Sequence, residues 1–215
     1  MRVFLINNFD KDLNKSSINY YPLTPISFLY RTALIFPNKV AWKYEDKSIK
    51  YKDFLNRVEA LAIYLKGIGI KKNDVVSVIL PNVPEMLECH FGIPMSGGII
   101  NTINTRLEIK TIAYILRHSK AKVLIFYEDY TEKVKKAISL SNFKNKIIYV
   151  KDKNTKAKNN VKSVLYYNDL VTKKERSKKL KNIHKSMFFP SDEWDAISLN
   201  YTSGTTGMPK GVVYH

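Results

Sequence analysis

The chain carries one cysteine, Cys89, in 215 residues, which excludes an internal disulfide framework and points to a reducing, cytoplasmic setting. Within the apolar-rich run Met86-Leu87-Glu88-Cys89-His90-Phe91, this thiol reads as a buried small hydrophobe rather than a nucleophile. No apolar stretch approaches the ~20 residues needed to span a bilayer. The opening Met1-Arg2-Val3-Phe4-Leu5-Ile6-Asn7-Asn8 is too brief for a secretory apolar region. A soluble protein without a membrane span is expected. His90, His118 and His184 stand singly, without the spacing of a zinc site, and read as surface or packed residues. No Ser-His-Asp order or Cys-His pairing supports hydrolase chemistry, and no internal repeat is visible.

Acidic residues are also scarce, 19 against 36 Lys and Arg, for a formal net charge of +17. Such an excess suits polyanion binding through counterion release. The basic residues are mostly lysine, however, and they concentrate over residues 151–160 and around Lys173-Lys174-Glu175-Arg176-Ser177-Lys178-Lys179, without a nucleic-acid-binding motif. A solvated insertion explains them better, and no nucleic-acid partner is expected. Residues 151–160 are polar, charged and aperiodic, which predicts a flexible lysine-rich excursion rather than a domain boundary.

What is there is a strand and helix rhythm. Thr24-Pro25 sets a capping hydroxyl before a first-turn proline, with Ile26, Leu29, Tyr30 and Ala33 at helical spacing and a stop at Pro37. Val40, Trp42 and Tyr44 alternate towards Glu45-Asp46, and Ser48-Ile49-Lys50-Tyr51 returns, so a short hairpin is predicted. Phe54, Val58, Leu61, Ala62 and Leu65 mark an amphipathic helix closing near Gly67. The continuous apolar run Val75-Val76-Ser77-Val78-Ile79-Leu80 suits a parallel strand buried on both faces. Helices follow near Glu85 to Met95, Glu108 to Arg117 and Asp129 to Ile138. They alternate with Ile99-Ile100 leading to a loop, and with strands at Val123-Leu124-Ile125-Phe126 and Ile147-Ile148-Tyr149-Val150. Order resumes by Val164-Leu165-Tyr166-Tyr167, and Phe188-Phe189-Pro190 and Trp194 read as core packing. The expected fold class is α/β, a layered strand-helix-strand domain with parallel sheets. Ligands gather outside the carboxyl ends of such strands, making Pro81-Asn82-Val83-Pro84 and Asn101-Thr102-Ile103-Asn104 candidate rims, with loop shaping as their structural role.

The most informative segment is Tyr201-Thr202-Ser203-Gly204-Thr205-Thr206-Gly207-Met208-Pro209-Lys210-Gly211. Glycines let several backbone N–H groups face one anion, hydroxyls donate further bonds, and a lysine neutralises charge. It is not a Walker loop, because Gly207 leads to Met-Pro-Lys-Gly instead of Lys-[Ser/Thr] and then a helix. Ala196-Ile197-Ser198-Leu199-Asn200-Tyr201 alternates like a strand and Pro209 disfavours a helix, so the prediction is strand, glycine-hydroxyl loop, strand.

This segment resembles the phosphate-loop signature of the AMP-forming acyl-activating ligases, the adenylate-forming superfamily. Leu23-Thr24-Pro25-Ile26-Ser27-Phe28-Leu29, Pro81-Asn82-Val83-Pro84-Glu85-Met86, and Gly92-Ile93-Pro94-Met95 through Asn101-Thr102-Ile103-Asn104-Thr105-Arg106-Leu107 are similar to its short- and medium-chain acyl-CoA ligase branch, which includes methylthiopropionate-CoA ligases and plant acyl-activating enzymes. The similarity runs from about Leu23 to His215 and weakens between Val150 and Pro190.

The resemblance implies that Thr202, Ser203, Gly204, Thr205, Thr206, Gly207 and Lys210 hold the phosphates of ATP, with Thr202 next to magnesium. It implies a carboxylic acid substrate activated as an acyl-adenylate, then transferred to coenzyme A. Residues 1–215 would be the incomplete N-terminal part of the large AMP-binding domain. In that family the adenine and acyl sites and the adenylation lysine of the small C-terminal domain lie downstream. No catalytic residue is therefore expected within these residues, and inactivity of this stretch alone is expected. An adenylation domain loading a carrier protein and a noncatalytic nucleotide- or polyanion-binding protein are the competing readings. A homodimer and a peroxisomal address stay open.

Overall fold

Thr24 opens the first helix as its hydroxyl suggests: in the computed structural model its side chain accepts a bond from the Ile26 amide at 3.3 Å, ahead of α1, Pro25–Ile35. The structure describes residues 13–14, 16, 18–151, 153–154, 161, 164–171, 189–190, 192–202 and 207–215. After α1 come the hairpin β1 (Val40–Tyr44) and β2 (Lys47–Lys50), helix α2 (Tyr51–Gly67), β3 (Val75–Ile79), α3 (Pro84–Met95), β4 (Ile99–Thr102), α4 (Ile109–His118) and β5 (Val123–Tyr127). A 3-10 turn at Glu128–Tyr130 leads into α5 (Thr131–Ser141). The remainder is β6 (Lys146–Val150), β7 (Val164–Tyr166), the short α6 (Tyr167–Leu170), β8 (Ser198–Thr202) and β9 (Lys210–Tyr214).

β1 and β2 form a two-stranded antiparallel sheet, and the others make one seven-stranded sheet in the order β7-β6-β5-β3-β4-β8-β9. Every neighbouring pair in it is parallel except β8 with β9. The expected α/β layering is therefore observed, with one large mostly parallel sheet.

Alternation of side chains across this sheet divides the core. On one face Val76, Val78, Ile100, Ile125 and Ile148 pack with Leu61 and Leu65 of α2 and Cys89 and Ile93 of α3. On the other, Ile79, Leu124 and Phe126 meet Ile112, Ile115 and Leu116 of α4 and Val134 and Ala137 of α5. A third cluster, centred on Ile26, Leu29, Phe54, Val58 and Met95, joins α1 to α2 and α3, with Trp42 and Ile49 of the hairpin packed on it. Helices α2 and α3 approach closely at Gly92, where an added Cβ would lie 2.7 Å from Leu61 Cδ2. Among the described residues, no helix is long and apolar enough to cross a membrane.

An ion pair between half-buried Arg57 and fully buried Glu88 reinforces the α2–α3 layer. The Arg57 guanidinium donates through Nε to Glu88 Oε1 at 2.5 Å and through Nη2 to Oε2 at 3.1 Å, and Nη2 also reaches Asn168 Oδ1 at 2.9 Å. The Tyr167 hydroxyl donates to Glu88 Oε2 at 3.0 Å, so α6 is tied to the same carboxylate. Burial pushes the Glu88 carboxyl up, and the Arg57 guanidinium pulls it part of the way back. Burial also raises the Cys89 thiol well above its ordinary value, consistent with a packed, unreactive group.

Some boundaries differ from expectation. β4 continues through Thr102, so Asn101 and Thr102 belong to the strand rather than to a rim loop. Asn101 is fully buried and donates to Ser77 Oγ at 2.9 Å, which removes it from any solvent-facing rim. The helix expected from Asp129 starts at Thr131, after the 3-10 turn, and runs to Ser141. Trp194 is not core: it is 76% exposed and stacks on His215 with ring centroids 4.4 Å apart. Phe189 does pack, against Tyr30 at 5.1 Å, whereas Phe188 lies outside the described residues. Within the expected lysine-rich excursion, Lys153 pairs with Glu45 at 3.0 Å and Asp46 at 2.7 Å in the β1–β2 turn, and residues 155–160 lie outside the described set.

Candidate functional site

Parallel pairing of β3, β4, β5 and β8 brings their carboxyl ends to one edge of the sheet. β8 reaches that edge at Thr202, and β9 turns back antiparallel from Lys210, which is the register partner of Thr202. The expected strand, loop, strand arrangement is thus observed at its two stems. Both Thr202 and Lys210 are exposed, and Lys210 makes no ion pair with any described residue. A lysine and a threonine, both exposed, are therefore cross-strand partners where the two stems meet the loop.

Gly207 has φ of +126°, a region that side-chain-bearing residues rarely adopt, and no described residue lies within 4 Å of the position its Cβ would take. The glycine is required by its backbone. Ser203, Gly204, Thr205 and Thr206 lie outside the described residues. Of the seven residues singled out from the sequence, the structure places Thr202, Gly207 and Lys210, and it pairs Thr202 with Lys210 across the hairpin.

The neighbouring strand ends are engaged in shaping the chain. Asn104 Oδ1 accepts from the Arg106 amide at 2.9 Å, and Lys133 Nζ donates to the Thr105 carbonyl at 2.9 Å. After β3, the Val83 amide donates to the Pro81 carbonyl at 2.8 Å, and Pro84 takes the first turn of α3. Loop shaping accounts for both candidate rims. Between the strands, Thr102 Oγ1 donates to Asn200 Oδ1 at 2.6 Å, pinning β8 to β4 on the face that also carries Thr202.

The other face of β8 holds a contact that the sequence did not announce. Tyr201, immediately before Thr202, places its hydroxyl 2.7 Å from His118 Nδ1. His118 ends α4 and stacks on Tyr114, four residues earlier, with centroids 5.2 Å apart and planes 26° from parallel. Burial raises the Tyr201 phenol above its ordinary range, and which of the two groups donates in this contact is set by the His118 tautomer. The only sequence signal was Tyr114 and His118 at i, i+4 on the last turn of a helix, which says nothing about a partner 83 residues away. His184 lies outside the described residues.

Magnesium can be tested against the donor set. Among the described residues, no three His, Cys, Asp or Glu groups gather as a metal cage. Magnesium bound to nucleotide phosphates keeps several waters and takes few protein ligands, so a single threonine hydroxyl at Thr202 fits such an ion and no all-protein site does.

Residues 29–215 match the family described as AMP-binding enzyme. The chain is 40% identical over 210 residues to a peroxisomal trans-cinnamate:CoA ligase of Petunia hybrida, covering 94% of this chain and 37% of that protein. It is 40% identical over 196 residues to a peroxisomal butyrate–CoA ligase of Arabidopsis thaliana, covering 91% of this chain and 34% of that one. In three dimensions it resembles the anthranilate CoA ligase AuaEII in complex with anthranoyl-AMP, with a TM-score of 0.76 at 25% identity, covering 93% of this chain and 36% of that chain. The chain thus spans about a third of the length of these relatives. With the family match running through both stems of the glycine-hydroxyl loop, the chain belongs to the AMP-binding enzyme family.

Proposed function

We propose that this chain forms the phosphate-binding part of an ATP-dependent, AMP-forming acyl-CoA ligase acting on a short- or medium-chain carboxylic acid. The observation that carries the proposal is the direct cross-strand pairing of Thr202 with Lys210 beside Gly207, at the carboxyl edge of a parallel sheet. The names of the relatives, ligases for cinnamate, butyrate and benzoate, support the reaction class.

In this reading the acid's carboxylate oxygen attacks the α-phosphorus of ATP, the α–β anhydride bond breaks, and pyrophosphate leaves. Negative charge accumulates on the departing oxygens. The Lys210 ammonium, the Thr202 hydroxyl and the loop amides from Ser203 to Gly207 are the groups assigned to meet that charge. When bound, magnesium would supply further neutralisation of the phosphates, with Thr202 the residue beside it. The coenzyme A thiol then attacks the acyl carbon and AMP departs. These steps need groups other than those singled out here, and no catalytic residue is assigned within the chain.

The test is ATP–pyrophosphate exchange by the natively expressed protein against a panel of carboxylic acids. Acid-dependent return of labelled pyrophosphate into ATP is expected, with acyl-CoA detected by mass once coenzyme A is added. Exchange that transfers the acyl group only to a phosphopantetheinyl carrier protein would redirect the proposal to carrier loading. Absence of exchange with every acid, together with salt-sensitive RNA binding, would overturn it. The relatives' names favour a peroxisomal address, and the buried thiol of Cys89 fits any reducing compartment, the cytosol included. Imaging of the tagged native chain decides between them, and its sedimentation tests a homodimer.

A further inference from the structure

The β8–β9 stem forms one edge of the sheet. β9 is exposed along its whole length and has β8 as its only strand neighbour among the described residues, and β8 joins the parallel sheet through three register pairs with β4. A loop that must hold an anion in a fixed place therefore depends on whatever else braces this stem. The described residues provide one such brace on the α4 face, the Tyr201–His118 contact at 2.7 Å.

Tyr201 is well placed to brace both strands together. Its partner across the hairpin is Gly211, and a Cβ on Gly211 would lie 3.5 Å from Tyr201 Cζ and 3.0 Å from Leu199 Cδ1. The phenol ring thus lies over β9 at the one position without a side chain, while its hydroxyl reaches α4. His118 is itself fixed, stacked on Tyr114 and edge-on to Tyr201 with centroids 5.7 Å apart, at the end of a helix whose Ile112, Ala113, Ile115 and Leu116 are buried in the core. A chain of contacts runs from the core through His118 and Tyr201 to Thr202.

We infer that His118 is a positioning residue for the nucleotide: through its hydrogen bond with the Tyr201 hydroxyl it holds the stem so that Thr202 and Lys210 face the phosphates. Neither His118 nor Tyr201 touches the ligand in this assignment. It rests on the function proposed above, because the anion to be held is ATP.

The experiment compares Tyr201→Phe, His118→Gln and His118→Asn in the natively expressed protein. Tyr201→Phe removes only the hydroxyl, and His118→Gln moves the hydrogen-bonding group away from the Nδ1 position, so each should raise the KM for ATP by about five- to tenfold, the worth of one hydrogen bond. The KM for the acid should stay unchanged. His118→Asn keeps an amide, able to donate or accept, near the Nδ1 position and should recover most of the loss. The two effects should not add in the Tyr201→Phe, His118→Gln double variant, because both remove one interaction. Equal changes in both KM values with a lowered melting temperature, or full additivity, would overturn the inference and leave a merely structural contact. If the wild-type protein shows no acid-dependent exchange, the functional reading falls by itself. Hydrogen exchange at the β8–β9 amides still decides the brace: faster exchange in His118→Gln than in wild type supports it, and unchanged exchange removes it.

Discussion

Every residue of β3 and β5 is buried, while every residue of β9 is exposed, although the strands belong to one hydrogen-bonded sheet. At β3 and β5 the sheet is covered on both faces by helices, and side chains such as Val78, Leu124 and Phe126 have no exposed surface. At β8 and β9 the chain presents polar side chains together with exposed Val212, Val213 and Tyr214, and among the described residues it is held by its strand ladders, the packing of Tyr201 and a few polar contacts. Burial fixes the first region through many small dispersion and hydrophobic contributions. The second depends more on directional bonds. If the proposed function holds, stability and ligand binding are separated across the sheet, and substitutions should fall into two groups according to the end they touch.

The largest loss of stability is expected from Arg57→Ala, in the covered region. It strands the fully buried Glu88 carboxylate with only the Tyr167 hydroxyl as a described partner, and breaking a buried pair by removing one partner costs about 3 kcal/mol. Urea unfolding should show a lower midpoint with an unchanged slope. A midpoint within experimental error of wild type would mean that the α2–α3 layer does not depend on this pair, and the contrast between the two ends would weaken.

Gly92→Ala comes next. The new methyl would meet Leu61 Cδ2 at 2.7 Å between two packed helices, and overpacking of this kind costs about 1–3 kcal/mol. Leu61 can yield only by moving into neighbours that are themselves buried. In a Leu61→Ala background the same substitution should cost much less, and equal costs in both backgrounds would place the strain elsewhere. Smaller again is Thr24→Ala, which removes the side-chain bond to the Ile26 amide and should lower stability by about 1 kcal/mol, the usual worth of an N-cap. A loss near zero in thermal unfolding would show that α1 is held by Ile26, Leu29 and Ala33 alone.

Thr24 also shows how much of the fold could be read without coordinates. A hydroxyl before proline, followed by apolar residues at helical spacing, specifies a helix start through local chemistry, and the helix begins at Pro25. The apolar run at residues 75–79 was legible for a similar reason, because a strand buried on both faces needs no alternation. Asn101 was misread as rim because its amide nitrogen finds Ser77 on the adjacent strand, a partner that only the sheet register reveals. Trp194 was misread as core because aromatic bulk alone does not say which neighbours arrive, and here its ring stacks on His215 at the surface. At the candidate site the strand, loop, strand arrangement was legible in the alternation before Tyr201 and in Pro209, and β8 and β9 form its two stems. The brace from His118 was not, since the contact joins residues 83 apart through tertiary packing.

Lys210→Ala should have the smallest effect on stability and so tests the comparison from its other side. The side chain is exposed and makes no ion pair with described residues, and the pairing of Lys210 with Thr202 is a backbone pairing that a shorter side chain retains. Unfolding should therefore stay within about 0.5 kcal/mol of wild type, as for most surface substitutions. Acid-dependent ATP–pyrophosphate exchange should nevertheless fall on the order of 100-fold, the usual consequence of losing one group aimed at developing charge. The combination is what a separation of stability from binding requires. A large drop in melting temperature with exchange intact would make Lys210 a structural residue of the hairpin, and the exposed end of the sheet would then have to be held by the same kind of interactions as the buried one.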